Sequence, residues 1–185
     1  MSLPSGFYLA GGTGLALHFG HRRSVDFDFF APEAFHEEAL LASLERYSPS
    51  VLSRAPQTLH LLLDGIKVSF LGYPHPLLFS TDLFFSSVEV ADARDIACMK
   101  LSAVASRGTR RDFVDLYVAA KTYSTSEILT LFARKYAGIE YNRLHLLKSL
   151  SYFDDAEADP PLEMLKEITW EDVKDFFARE SAALL

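Results

Sequence analysis

The sequence predicts an α+β fold: a small mixed sheet flanked by helices over residues 1–90, with a helical part packed on it over residues 91–185. Two observations carry this. Short apolar or alternating runs, punctuated by Gly, Pro and Asp, crowd the first half, and from Asp92 onward apolar residues recur at helical spacing.

Phe7 to Ala10 is a short apolar run ending in Gly11-Gly12 and reads as a buried strand entering a tight turn. Thr13 is placed to cap a short helix through Leu15, Ala16, Leu17 and Phe19 that stops near Gly20. His21-Arg22-Arg23-Ser24 is a polar link. Val25 to Phe30 then alternates, with Val25, Phe27 and Phe29 on one side and Asp26, Asp28 and Phe30 on the other. Period two makes this a strand and puts both aspartates on one face. Pro32 opens a helical stretch to about Tyr47, with Phe35, Ala39, Leu40 and Leu44 near helical spacing. Leu59–Leu63 and Ile66–Leu71 form a hairpin, because Asp64-Gly65 supplies the positive φ values of a type I′ turn. Val88–Val90 is one more short strand.

Helices follow at Asp92–Ser106, at Thr109 to about Tyr123 after a break at Arg107-Gly108, and at Ser126–Tyr136, Tyr141–Tyr152 and Thr169–Ala183. The last opens on Thr169-Trp170-Glu171-Asp172, a capping pattern with acid in the first turn. Asp154–Pro161 between them reads as an acidic loop.

Composition narrows the class. The 15 Phe and 8 Tyr supply a core, which excludes disorder of the whole chain. Lys and Arg number 18 against 25 Asp and Glu, a net charge of −7 that argues against sequence-independent coating of nucleic acid. Cys98 is the only cysteine, so no disulfide or cysteine zinc site forms within the chain, and a cytoplasmic setting is expected. In Ile96-Ala97-Cys98-Met99 it reads as a buried apolar residue. No apolar run reaches the roughly 18–20 residues that span a bilayer, and no secretory signal pattern opens the chain. A membrane partner is therefore not expected.

Chemistry concentrates in two places. Gly11 and Gly12 let the backbone approach a ligand closely, and the helix start that follows adds N–H donors and a positive dipole end. Thr13 adds a hydroxyl. Together they suit a triphosphate. Asp26 and Asp28 on one strand face suit Mg²⁺, which prefers hard oxygen ligands. The glycines form neither a P-loop, since no Lys follows where it is required, nor a dinucleotide fingerprint, since Leu17 holds the third glycine position.

The second place is Lys100 through Tyr117. On one continuous helix Lys100, Arg107 and Arg111, seven and four apart, form a basic stripe for phosphate or RNA backbone, bent if Gly108 breaks the helix. Asp112 lies three after Thr109, the place of a capping-box acid, and Asp115 lies four after Arg111, the place of an ion-pair partner. Lys100 follows a largely apolar stretch, where a lysine is unexpected. The six histidines show no ligand spacing, and no serine sits in a Gly-x-Ser-x-Gly turn.

The run Phe7-Tyr8-Leu9-Ala10-Gly11-Gly12-Thr13-Gly14-Leu15-Ala16-Leu17-His18-Phe19-Gly20-His21-Arg22-Arg23-Ser24-Val25-Asp26-Phe27-Asp28-Phe29-Phe30 resembles the opening motif of the AbiEii/AbiGii toxin-type nucleotidyltransferases. Lys100 to Tyr117 resembles that family's second motif, a Lys, then an Arg, then a basic-Asp-x-x-Asp-Leu run. The family belongs to the polymerase β nucleotidyltransferase superfamily and includes toxins of type IV toxin–antitoxin and phage-abortive systems.

The resemblance implies a nucleotidyltransferase sheet in the first half. By it, Gly11, Gly12, Thr13, Ser24, Arg107 and Arg111 hold the nucleoside triphosphate. Asp26 and Asp28 hold Mg²⁺ or Mn²⁺, Lys100 neutralises phosphate charge, and Asp112 completes the catalytic set. An RNA or tRNA end, or a protein, is the implied acceptor, and an antitoxin the implied protein partner. Two departures stand out. Ser69, on Ile66-Lys67-Val68-Ser69-Phe70, occupies the strand position where the superfamily usually carries a third carboxylate. The helix that usually precedes the first strand has little room ahead of Phe7, as if the chain started late. Two readings stay open: an active enzyme, or a catalytically weak or inactive relative that binds nucleotide or a partner protein.

Overall fold

The structure, a computed structural model, describes residues 6–85 and 87–185. Apart from Gly6, the segment in which a helix would precede the first strand lies outside the described residues. The chain divides into two compact units: residues up to Gly14 with Ser24–Asp92, and Leu15–Arg23 with Ala93–Leu185.

The first unit is built on a seven-stranded mixed sheet, completing the α+β fold that the sequence predicts. Its strands are β1 (Tyr8–Ala10), β2 (Phe27–Ala31), β3 (Ser50–Ala55), β4 (Thr58–Leu63), β5 (Ile66–Gly72), β6 (Asp82–Phe84) and β7 (Val88–Val90), in the order β3-β4-β5-β2-β1-β7-β6. β1 runs antiparallel to β2 and parallel to β7, and β2 runs parallel to β5. Asp64 and Gly65 take φ 49° and 80°, the positive values the β4–β5 hairpin needs.

Alternation sorts this sheet into two faces. Val90, Leu9, Phe29, Phe70 and Leu59 lie side by side across five strands and are all buried. Phe70 stacks on Phe29 at 5.5 Å and meets Phe7 edge-on at 5.1 Å. The row one residue over, on the other face, runs Ala10, Asp28, Ser69, His60.

Four local expectations change. The stretch from Pro32 to Tyr47 is helical only at α2 (Glu37–Ser43) and in a 3-10 turn at Glu45–Tyr47. The Gln57 amide takes the backbone groups of Phe35 that a helix would use: it accepts from Phe35 N at 3.0 Å and donates to Phe35 O at 2.9 Å. β3 and β6 are additional strands; β3 is exposed at every residue, so it lacks the one-sided alternation that marks a strand. α1 (Gly11–Phe19) starts at Gly11 and not at Thr13, and Asp26 lies one residue ahead of β2.

The second unit holds α3 (Ala93–Ser106), α4 (Arg110–Tyr123), α5 (Thr125–Lys135), α6 (Arg143–Ser149), α7 (Asp154–Glu157) and α8 (Trp170–Leu184). α7 occupies the segment that reads as an acidic loop, and α6 is shorter than expected at both ends. Gly108 at φ +52° separates α3 from α4. The capping box of Thr169 and Asp172 opens α8. Phe113 anchors the core, with Phe153, Trp170 and Phe177 at 5.1, 6.0 and 5.9 Å. Among the described residues no helix is long and apolar enough to cross a membrane.

Candidate active site

β1 delivers the chain into α1 through Gly11, whose φ is +63°. A β-carbon built on Gly11 would stand 2.9 Å from Oδ2 of Asp28 and 3.4 Å from its Cβ. The pairing of Ala10 with Asp28 explains why: the last residue of β1 and the carboxylate of β2 are direct cross-strand neighbours. The Asp28 side chain therefore lies beside the start of α1, where a side chain at position 11 would crowd it. That carboxylate has no hydrogen-bond or ion-pair partner among the described residues and is half-buried.

Thr13 is buried within this turn. Its hydroxyl donates to the backbone carbonyl of Asp26 and shares a 2.8 Å hydrogen bond with the Ser24 hydroxyl. Thr13 thus ties the turn to the segment leading into β2, and its single proton is committed to Asp26. Of the two hydroxyls, Ser24 is the more exposed.

On the other side of Asp28, β5 places Ser69 as its cross-strand partner, and β4 places His60 opposite Ser69. Ser69 is buried, and its Oγ lies 2.9 Å from Nδ1 of His60. Sequence reasoning passed over His60, although a signal was there. In a two-residue hairpin with Leu63 opposite Ile66, the register alone sets His60 opposite Ser69.

The second unit gathers the other motif residues into a buried ionic network. Lys100 reaches Asp112 Oδ1 at 3.0 Å and Asp115 Oδ2 at 2.7 Å. Arg22 grips Asp115 with two nitrogens, at 2.7 and 2.8 Å, and His21 Nε2 adds a contact at 2.8 Å. Arg107 holds Asp112 the same way, at 2.7 and 3.0 Å, and the Thr109 hydroxyl donates to it at 2.6 Å. Lys100, Asp112, Asp115, His21 and Arg22 are all buried.

Neither local expectation for the two aspartates holds. The Thr109 side chain makes no capping bond to the helix backbone, and Asp115 pairs with Arg22 and Lys100. The three cations form no common stripe, because Lys100 and Arg107 converge on Asp112 while Arg111 is exposed. Burial pushes the Asp112 carboxyl up, but the Arg107 hydrogen bond, the Lys100 charge and the Thr109 hydroxyl outweigh it and lower it to about 2. Burial likewise opposes ionisation of Asp115, and the Lys100 charge with the His21 and Arg22 hydrogen bonds overcomes it, holding that carboxyl well below the usual range.

The sheet and helices define the fold of a nucleotidyltransferase. MenT4, a nucleotidyltransferase toxin from Mycobacterium tuberculosis H37Rv, matches with a TM-score of 0.61 at 19% identity, covering 96% of this chain and 76% of that one. The antibiotic-resistance factor ANT(2'')-Ia matches with a TM-score of 0.52 at 13% identity, covering 71% and 84%. Likenesses at such identities establish the fold. The family follows from sequence: the chain belongs to the nucleotidyl transferase AbiEii toxin family of type IV toxin–antitoxin systems, whose profile matches residues 2–61 and 66–183. An uncharacterized protein of Aquifex aeolicus strain VF5 is 38% identical over 189 residues, covering 97% of this chain and 88% of its own length. As a member of that family the chain is a nucleotidyltransferase, in keeping with the resemblance of its two motifs.

Proposed function

We propose that the chain transfers a nucleoside monophosphate from a nucleoside triphosphate to an acceptor hydroxyl, with pyrophosphate leaving. One observation carries this reading: the Asp28 carboxylate lies beside the start of α1, against the face of Gly11 that lacks a side chain. A helix start with a glycine at positive φ offers backbone N–H groups to phosphate oxygens. A carboxylate beside that turn would suit a divalent cation, which prefers hard oxygen ligands.

In this scheme Gly11, Gly12, Thr13 and Ser24 cradle the triphosphate, with the Thr13 and Ser24 hydroxyls fixing the turn and the backbone N–H groups donating to phosphate. Asp26 and Asp28 hold Mg²⁺ or Mn²⁺. The donor set fits, because carboxylate oxygens are hard ligands. Mg²⁺ is commonly held by one or two carboxylates, with phosphate and water oxygens in its other positions. When bound there, such an ion would supply positive charge against the phosphates. Lys100, Arg107, Arg111 and Asp112 enter the scheme on the family resemblance alone.

The acceptor is an RNA or tRNA end or a protein hydroxyl, the protein partner an antitoxin, and the setting the cytoplasm. Incubation with each α-labelled triphosphate in turn, Mg²⁺, total RNA and lysate protein tests the reading. A labelled RNA or protein band that disappears with Asp28→Asn is expected. Nucleotide binding with no labelled product would favour the reading, prompted by Ser69, of a relative that binds without turnover.

A further inference from the structure

The row Asp28, Ser69, His60 crosses β2, β5 and β4 on one face of the sheet. Neighbouring strands are about 4.8 Å apart, so Ser69 stands beside Asp28 where a third carboxylate would reach the reacting atoms. A serine hydroxyl cannot take a proton unaided at neutral pH, but this one is hydrogen-bonded to an imidazole. Among the described residues the His60 and Ser69 side chains have no polar partner but each other. With Nδ1 accepting from Ser69, the His60 ring carries its own proton on Nε2. The charged residues sharing this face on β2, β4 and β5 are Asp28 and Lys67, and Ser53 of β3 stands opposite His60.

We propose that His60, acting through the Ser69 hydroxyl, accepts the proton of the attacking acceptor hydroxyl, so that a hydroxyl–imidazole pair replaces the third carboxylate of the superfamily. The inference rests on the nucleotidyl-transfer reading above. As the acceptor oxygen bonds to the α-phosphorus, its proton passes to Ser69 Oγ while the Ser69 proton passes to His60 Nδ1. The bond from that phosphorus to the bridging oxygen breaks, and pyrophosphate leaves with the electron pair. The imidazolium then returns a proton to water. Asp112 is a poor alternative, because both its oxygens are occupied by Lys100, Arg107 and Thr109 and its carboxyl is held near 2.

The test uses the full chain, Mg²⁺, a mixture of the four α-labelled triphosphates, and total RNA with lysate protein as acceptor, with rates followed from about pH 5 to 9. The wild-type rate should fall on the acid side through a limb that coincides with titration of the His60 ring followed by NMR. His60→Gln should lower kcat by about 100- to 10,000-fold, leave the KM for triphosphate unchanged and lose that limb. Ser69→Ala should do the same. Ser69→Asp should restore turnover, shift the limb toward the carboxylate range, and make the rate indifferent to a second His60→Gln change. A His60→Gln enzyme with the wild-type rate and profile overturns the proposal. So does a folded, triphosphate-binding Ser69→Asp/His60→Gln double variant without turnover. If the wild type itself transfers nothing from any triphosphate, the underlying reading fails and this inference falls with it.

Discussion

Gly11 leaves free the space that the Asp28 carboxylate needs: a methyl group on Gly11 would stand 2.9 Å from the Asp28 Oδ2 atom. Gly11 is constrained a second time by its φ of +63°, in the left-handed region that costs an L-residue roughly 1–2 kcal/mol. Turning the Asp28 carboxylate relieves the 2.9 Å approach, since Asp28 Cβ at 3.4 Å is at an ordinary contact distance, but the carboxylate then leaves the position it holds beside the turn. Gly11→Ala is expected to lower the melting temperature by several degrees, at about 2–4 °C per kcal/mol for a chain this long. It should also abolish Mg²⁺-dependent transfer. Thermal unfolding and the labelled-triphosphate assay measure the two effects.

Asp28→Asn separates chemistry from architecture. The carboxylate has no protein partner to lose among the described residues, and asparagine keeps its size. Transfer should fall at least 100-fold in the manner of a lost metal-binding group, taken as an order of magnitude. The melting temperature should stay level or rise, as it does where function imposes an unpaired charge. A sharp loss of stability would mark Asp28 as structural.

Lys100 behaves differently. A cleft lysine could be truncated without harm to the fold, but this one is buried and bonded to two buried carboxylates. Removing Lys100 takes away the cation that Asp112 and Asp115 share and leaves each carboxylate with one arginine, at a cost of up to about 3–5 kcal/mol. Lys100→Ala should therefore lose stability and activity together in a urea titration.

The depressed carboxyls of Asp112 and Asp115 set an acid limit. A group whose folded pKa lies below its unfolded value stabilises the fold above the unfolded value, near 4, and loses that contribution as the pH falls through the folded one. For Asp112 the loss runs from about pH 4 down to about 2; for Asp115 it continues lower. Midpoints in urea should be flat above about pH 5 and fall steeply below about 4. Asp112→Asn should start lower and fall less. An equal slope in that variant would mean Asp112 contributes nothing to acid sensitivity.

The elements legible in the sequence were those with one dominant local signal. Asp64-Gly65 fixed the hairpin, Thr169 with Asp172 fixed the start of α8, and Gly108 marked the break after α3. β3 was invisible because exposure on both faces erases alternation, and Pro32 to His36 was misread because Gln57, over twenty residues on, takes the backbone bonds of Phe35. Among candidate site residues, the closeness of the glycine turn to Asp28 follows from local strand order. The partners of Asp115 did not follow, because Arg22 is 93 residues away and no spacing rule reaches that far. Arg111, the neighbour at helical spacing, was the natural but mistaken choice.

Arg22 and His21 lie in the stretch between α1 and β2, yet they cluster with the helices of the C-terminal half. A fragment beginning at residue 93 would inherit both buried aspartates and only some of the cations that neutralise them. The helical half is therefore not a module that recombination could transplant by cutting the gene at the sheet's end. It is discontinuous in sequence, and a graft that carried only the later residues would bring a buried Asp115 without its guanidinium. In this lineage the two motifs must be inherited as a pair, and substitutions at Arg22 and Asp115 should track each other even where the rest of the linker drifts.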